Sequence, residues 1–300
     1  MSGDMDIVGG FACSHAGLIV TRRGRAPADQ GERVFSAYAA VREEIARLRP
    51  DALLVIATDH LQAFPLSNVV PFSIGVGPAA KGLGDGGLAP CTVPIHQQLA
   101  QAILYGCLDC GVDLAFSEDV AIDHSFVMPL TLLRPALDVP IVPVVQNCNV
   151  PPRPTFRRSR ELGQAVRRAI LAGPEGRVVV IGTGGLSHWV GSAERRAFMN
   201  RAAGTRLAEL AAYPVVLDDT GEINEEFDRM FLDRVAAGRL PEFAAAWTPE
   251  RVEHAAGNGA QEVRTWLTAA AVMDDAAAEV LAYEPVAEWL TGTAVVRFTA

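Results

Sequence analysis

No stretch of this chain approaches the ~18 consecutive apolar residues of a membrane-spanning helix, so no membrane partner is expected. Positive charge is scarce as well. Twenty-six basic residues face 35 acidic ones, a net charge of −9, and a nucleic-acid surface would need a basic patch. Cysteine supplies no disulfide framework: the five residues (Cys13, Cys91, Cys107, Cys110, Cys148) are odd in number and unpatterned. Cys107 and Cys110 form a lone C-x-x-C in an apolar helical stretch and read as core, not as a zinc or redox motif. The opening MSGDMDIVGG carries acids where a secretory signal needs basic residues, so a reducing, cytoplasmic setting is expected. Low-complexity linkers and fixed-period repeats are missing. So are the G-x-G-x-x-G and G-K-[ST] signatures, which argues against nucleotide binding.

What is present is an ordered alternation. Half of the 300 residues are apolar and a fifth are charged, as in a globular protein with a sizeable core. Short apolar runs at 6–12, 52–57, 72–76, 113–117, 140–146 and 178–182 read as strands. Val34, Tyr38, Val41, Ile45 and Leu48 recur at helical spacing, as do Ile95, Leu99, Ile103 and Cys107. A further helix is expected at about 158–172. Beyond residue 193 helices are expected at about 194–212, 223–238 and 248–273, with one last strand in VAEWLTGTAVVRF. Repeated strand–helix–strand units predict an α/β fold. We expect a three-layer single domain over residues 1–300, with a mostly parallel central sheet, helices on both faces and a helical C-terminal part. The Gly- and Pro-rich segments 77–93 and 147–156 are expected to be long loops that carry function.

Four of the six histidines fall just past predicted strands: His15, His60, His124 and His188. In an open parallel sheet such positions share one edge, where ligands bind, so four imidazoles could converge there. His96 and His254 lie in helical stretches and are expected at or near the surface. Gly182, Gly184 and Gly185 in GTGGLSH would let the backbone pass close to a bound group and bring His188 into the pocket. Two histidines and one carboxylate, with open positions opposite, is the non-haem Fe(II) arrangement. Among many acids Glu262 has a distinctive setting. Asn258 in HAAGNGAQEVRTWL can cap a new helix with Gln261 closing the box, which places Glu262 in its first turn. On periodicity alone an ordinary solvated first-turn acid is the preferred reading of Glu262.

These residues match a known pattern. The chain resembles the class III extradiol ring-cleaving dioxygenases from about residue 6 to 290. The likeness lies in SHAGL at 14–18, ATDH at 57–60, PFSIGVG at 71–77, IDHSFVMPL at 122–130, GTGGLSH at 182–188, INEEFDRMFLD at 223–233 and GNGAQEVRTW at 257–266. The resemblance implies Fe(II) held by His15, His60 and Glu262, with His188 and His124 as acid–base residues. His188 would take the catechol proton and His124 would hydrogen-bond the substrate or oxygen. It further implies O2 and a catecholic aromatic acid as substrates, and a homo-oligomer with room for a small α-type subunit. INEEFD resembles the protocatechuate and gallate enzymes, whereas PFSIGVG and YEPVAEWLTG lean towards the dihydroxyphenylpropionate type. Asp59 is expected to orient a neighbouring group. Arg22, Arg23 and Arg25 would either bind a substrate carboxylate or stand solvated. Two other classes compete: a zinc hydrolase using the same donors, and a non-catalytic metal-binding subunit, which would need neither His188 nor His124.

Overall fold

The computed structural model describes residues 5–215 and 222–299; the acidic start of the chain at residues 1–4 lies outside them. Eleven strands are described: β1 (Met5–Cys13), β2 (Ala52–Ala57), β3 (Phe72–Gly75), β4 (Ala79–Gly82), β5 (Cys91–Pro94), β6 (Ala115–Ser117), β7 (Ala121–Ile122), β8 (Ile141–Gln146), β9 (Gly176–Thr183), β10 (Ala278–Val286) and β11 (Thr291–Phe298). Eight form the central sheet in the order β10-β11-β1-β9-β2-β8-β3-β6, and β5-β4-β7 form a small second sheet. The centre, β1-β9-β2-β8, is parallel. β11 and β10 extend one side antiparallel, and β3 joins the other side antiparallel to β8.

The apolar runs explain this placement. Every residue of β2 and β8 is buried, because helices cover both faces of the central strands. Ala28–Leu48 and His124–Leu133 pack together over one face, and Gln97–Asp109, Phe156–Leu171 and Val263–Val272 form the layer on the other. Ala28–Leu48 buries Val34, Ala37, Tyr38, Val41 and Ile45, the stripe its periodicity announces. Cys107 is fully buried as expected, but Cys110 is exposed at the helix end. His96 caps the helix Gln97–Asp109 by accepting the Leu99 N–H at 3.2 Å, and His254 is exposed. Among the described residues no helix is long and apolar enough to cross a membrane.

Four boundaries differ from the sequence reading. The chain from 194 to 212 is not one helix: Ala193–Met199 ends well before a 3-10 turn at Leu207–Ala212, and Gly204 between them sits at φ +90°. The stretch 248–273 divides at Gly257 (φ +95°) into Pro249–Ala256, a 3-10 turn Gly259–Glu262 and Val263–Val272. Segment 77–93 is not purely loop, since it holds β4 and most of β5. The C-terminal region supplies two strands, and β10 was hidden because its AEVLAYEPV mixes apolar and charged residues without strict alternation.

Candidate metal centre and its cavity

The parallel strands end on one edge and deliver three histidines there, and a fourth arrives from the small second sheet. β1 leads into His15 and β2 into His60, while His124 opens its helix after β7 and His188 follows β9. Ring centroids of His15 and His60 stand 5.5 Å apart, and those of His60 and His124 stack at 4.2 Å. Glu262, far away in sequence, reaches the same place. Thr265 and Trp266 hydrogen-bond the carbonyls of Thr183 and Gly184 at 2.8 and 3.0 Å, and so clasp the glutamate's helix to the end of β9.

The hydrogen bonds fix which ring nitrogens carry protons. Thr183 Oγ1 donates to the Ser125 carbonyl at 2.8 Å, so it accepts from His15 Nδ1 at 3.1 Å. The Asp123 carboxylate can only accept from His60 Nδ1, at 3.0 Å. With each Nδ1 committed in this way, Nε2 is the lone-pair nitrogen of each ring in its neutral form, and both Nε2 atoms face one carboxylate. His15 Nε2 lies 3.1 Å from Glu262 Oε2, and His60 Nε2 lies 3.2 Å from Oε1. The His15 nitrogen is buried with no hydrogen-bond partner. Two lone pairs facing a carboxylate repel it unless a proton or a metal ion lies between them.

A metal fits this set. Two donors ~2.1 Å from one ion and at right angles stand ~3.0 Å apart, close to the separations found. Glu262 is 1 % exposed, so water cannot satisfy its charge; the Gly185 N–H donates to Oε2 at 2.6 Å. Titration behaviour points the same way. Burial would raise the Glu262 carboxyl, but His15, His60 and His188 hold it well below the usual carboxylate range. Burial would lower His60, yet Asp123 and Glu262 lift it well above the ordinary imidazole value. The carboxylate demands positive charge beside it, as proton or as metal. His15, His60 and His124 also come close enough to share an ion, and so do Asp85, Asp123 and His124.

His188 is set differently. Its Nδ1 donates to the Leu186 carbonyl at 2.9 Å, which leaves Nε2 free, 4.0 Å from Glu262 Oε2. Burial depresses its pKa, and the charge of Glu262 only partly offsets this, so the ring is neutral at neutral pH. The segment before it is pinned from below. Asp228 accepts from Ser187 N at 2.8 Å, Ser187 Oγ at 2.7 Å and the Tyr283 hydroxyl at 2.9 Å. Burial pushes the Asp228 carboxyl up to about 6. His124 Nδ1 makes a very short contact to Asp85 Oδ2, in the Gly-rich segment after β4.

Several expectations need correction. Asn258 does not cap a helix: its side chain bonds both N and O of Val190, at 2.9 and 3.1 Å, and Gln261 reaches the Pro249 carbonyl. Glu262 is not a solvated first-turn acid, because the turn faces the sheet edge. Asp59 orients no metal-site side chain. It accepts the N–H groups of Gln62, Ala63 and Phe64 and holds the turn at Leu61, whose φ is +62°. The carboxylate on His60 is Asp123, which also accepts the His60 and Ser125 N–H groups. The second Asp-His pair marked it, but its side chain crosses to the other histidine. Gly184 and Gly185 make room for Glu262 and for His188 and Thr291, and Gly185 also lines the cavity. Arg22, Arg23 and Arg25 stand away from the cavity wall, and Arg23 covers the Phe35 ring at 3.8 Å.

The cavity over this centre has a volume of about 360 Å³, sufficient for a small aromatic ligand. Its wall includes Trp189, Val190, Met199 and Leu290 beside the polar set.

An α/β sheet edge carrying converging histidines and a buried glutamate makes this cavity a candidate metal site. The chain belongs to the family described as the catalytic LigB subunit of aromatic ring-opening dioxygenase, which it matches over residues 9–297. It is 31 % identical over 284 residues to the 2,3-dihydroxyphenylpropionate/2,3-dihydroxicinnamic acid 1,2-dioxygenase of Escherichia coli K12, covering 87 % of this chain and 89 % of that one. The enzyme of that name from E. coli O157:H7 matches equally. Among solved structures, uncharacterized protein JW3007 of E. coli K12 shares the fold, with a TM-score of 0.52 at 10 % identity over 97 % of this chain and 100 % of that one.

Proposed function

We propose that the protein is an Fe(II)-dependent extradiol dioxygenase that opens a catecholic aromatic acid with O2, its metal held by His15, His60 and Glu262. The observation carrying this reading is the pair of Nε2 atoms, their Nδ1 partners already engaged by Thr183 and Asp123, that face one buried carboxylate. Two histidines and a carboxylate form the set that leaves neighbouring positions open on non-haem iron.

His15, His60 and Glu262 would hold the Fe(II), which would supply Lewis acidity towards the catechol hydroxyls and redox chemistry towards O2. The chain's own residues do the rest. Asp123 and Thr183 fix the tautomers of His60 and His15, so their Nε2 lone pairs stay on the metal side. His188 Nε2, neutral and unpaired, takes the remaining catechol proton and can return it when the ring opens. His124, steered by Asp85, hydrogen-bonds the substrate or the oxygen. Trp189, Val190 and Met199 keep bulk water from the ring. The substituent lean towards dihydroxyphenylpropionate is supported by the name of the E. coli relatives.

A second reading has an observation of its own. His15, His60 and His124 make a three-histidine set, which suits catalytic zinc. Loading the protein anaerobically with Fe(II) or Zn(II), then following oxygen uptake on adding catecholic acids, separates the two. Fe(II)-dependent uptake with a ring-opened product supports the dioxygenase. Absence of uptake across the panel would sink it.

A further inference from the structure

Three arginines line the cavity wall, and two are engaged. Arg153 Nη1 donates to Glu253 at 3.0 Å, and Glu253 also accepts from Asn200 at 2.7 Å. Arg196 lies over the Trp189 ring, 4.8 Å from its centroid, and donates to the Gly191 carbonyl. Arg195 stands apart. Among the described residues its guanidinium meets the Tyr213 carbonyl and no carboxylate. Its burial pulls the guanidinium pKa below the ordinary arginine value, the mark of a cation that lost water without gaining an anion.

The backbone is shaped to admit this side chain. Gly191 adopts φ +78°, and a Cβ there would come within 2.7 Å of Arg195 Cδ. The turn at Gly191 thus leaves room for the Arg195 stem along the cavity wall. The surrounding wall is apolar, with Trp189, Val190, Met199 and Val215. A partly desolvated cation beside an apolar surface suits a ligand with a ring, a short aliphatic spacer and an anionic end.

We infer that Arg195 is the anion-reading residue of this cavity, pairing with the side-chain carboxylate of the substrate while the ring is held at the histidine–glutamate centre. For the ring's identity as a catechol this rests on the proposed function. The assignment of the anion end rests on Arg195 and its surroundings alone. A planar guanidinium offers a carboxylate two parallel N–H donors, which a lysine cannot reproduce.

The test is anaerobic titration calorimetry on the Fe(II)-loaded full chain, with 3-(2,3-dihydroxyphenyl)propionate and uncharged 3-propylcatechol as probes. The wild type should bind the acid at least ~10-fold more tightly, the scale of one charge-assisted hydrogen bond. Arg195→Gln should bring the ratio close to one by weakening the acid alone, and Arg195→Lys should keep part of the preference. A wild type without preference, an Arg195→Gln variant that still prefers the acid, or one that loses both ligands equally would overturn the assignment. Oxygen uptake is measured beside the binding. An acid preference that depends on Arg195, with no uptake, sinks the ring-cleavage reading and leaves the anion site standing. Uptake without any preference in binding overturns the anion site only.

Discussion

Gly259→Ala is a one-methyl test of the role given to His188. A Cβ at Gly259 would sit 2.1 Å from His188 Nε2, 2.2 Å from Cδ2 and 2.5 Å from Cε1. The backbone there allows alanine, because Gly259 is not in the left-handed region, so the methyl group and the ring compete for one space. To reach even 3.0 Å the ring must withdraw by about 0.9 Å (3.0 less 2.1), and its bond from Nδ1 to the Leu186 carbonyl resists that motion. A misplacement of about 1 Å can cost ~100-fold in rate, the same order as losing a general base outright. We expect kcat to fall ~100-fold while iron content, measured by colorimetric assay after dialysis, stays at the wild-type level. The double variant with His188→Ala should be no slower than His188→Ala alone, because both changes remove one function. Wild-type turnover in Gly259→Ala, or losses that add in the double variant, would refute the placement of His188 Nε2.

Other outcomes follow from the same contacts. Asp123→Asn, which removes the charge behind His60, should weaken Fe(II) binding ~10–100-fold in a chelator competition; unchanged affinity would count against the orienting role. His188→Ala should retain its iron and bind catechol, yet turn over at least ~100-fold more slowly. Because burial lowers the His188 pKa, the ring stays neutral through the ordinary imidazole range and loses its lone pair only as pH falls further. The acidic limb of kcat/KM should therefore lie below ~6.5 and vanish in His188→Ala. A limb at or above that value would contradict the assignment.

The central sheet was legible because β2 and β8 are buried on both faces, and such strands read as unbroken apolar runs. His15, His60 and His188 were legible because each lies just past a strand of the parallel centre, which brings those ends together; His124 arrives instead after β7 of the small second sheet. Glu262 drew notice for its setting after Gly257-Asn258-Gly259, but its place depends on the clasp that Thr265 and Trp266 make with β9 across about 80 residues of sequence; only the resemblance marked it as a ligand. Asp123 was half visible: the Asp-His pair drew notice, but nothing local says that its side chain serves His60 rather than His124. Arg195 gave no local signal either, because its meaning comes from the lack of an acidic partner among the described residues.

The most direct test of the account is the Fe(II) stoichiometry of the wild type beside His15→Ala, His60→Ala, Glu262→Ala and His124→Ala, each confirmed folded by circular dichroism. The account predicts one iron per chain in the wild type and in His124→Ala, with tight binding abolished in the other three. Full occupancy in Glu262→Ala together with loss in His124→Ala would contradict it and favour the three-histidine site.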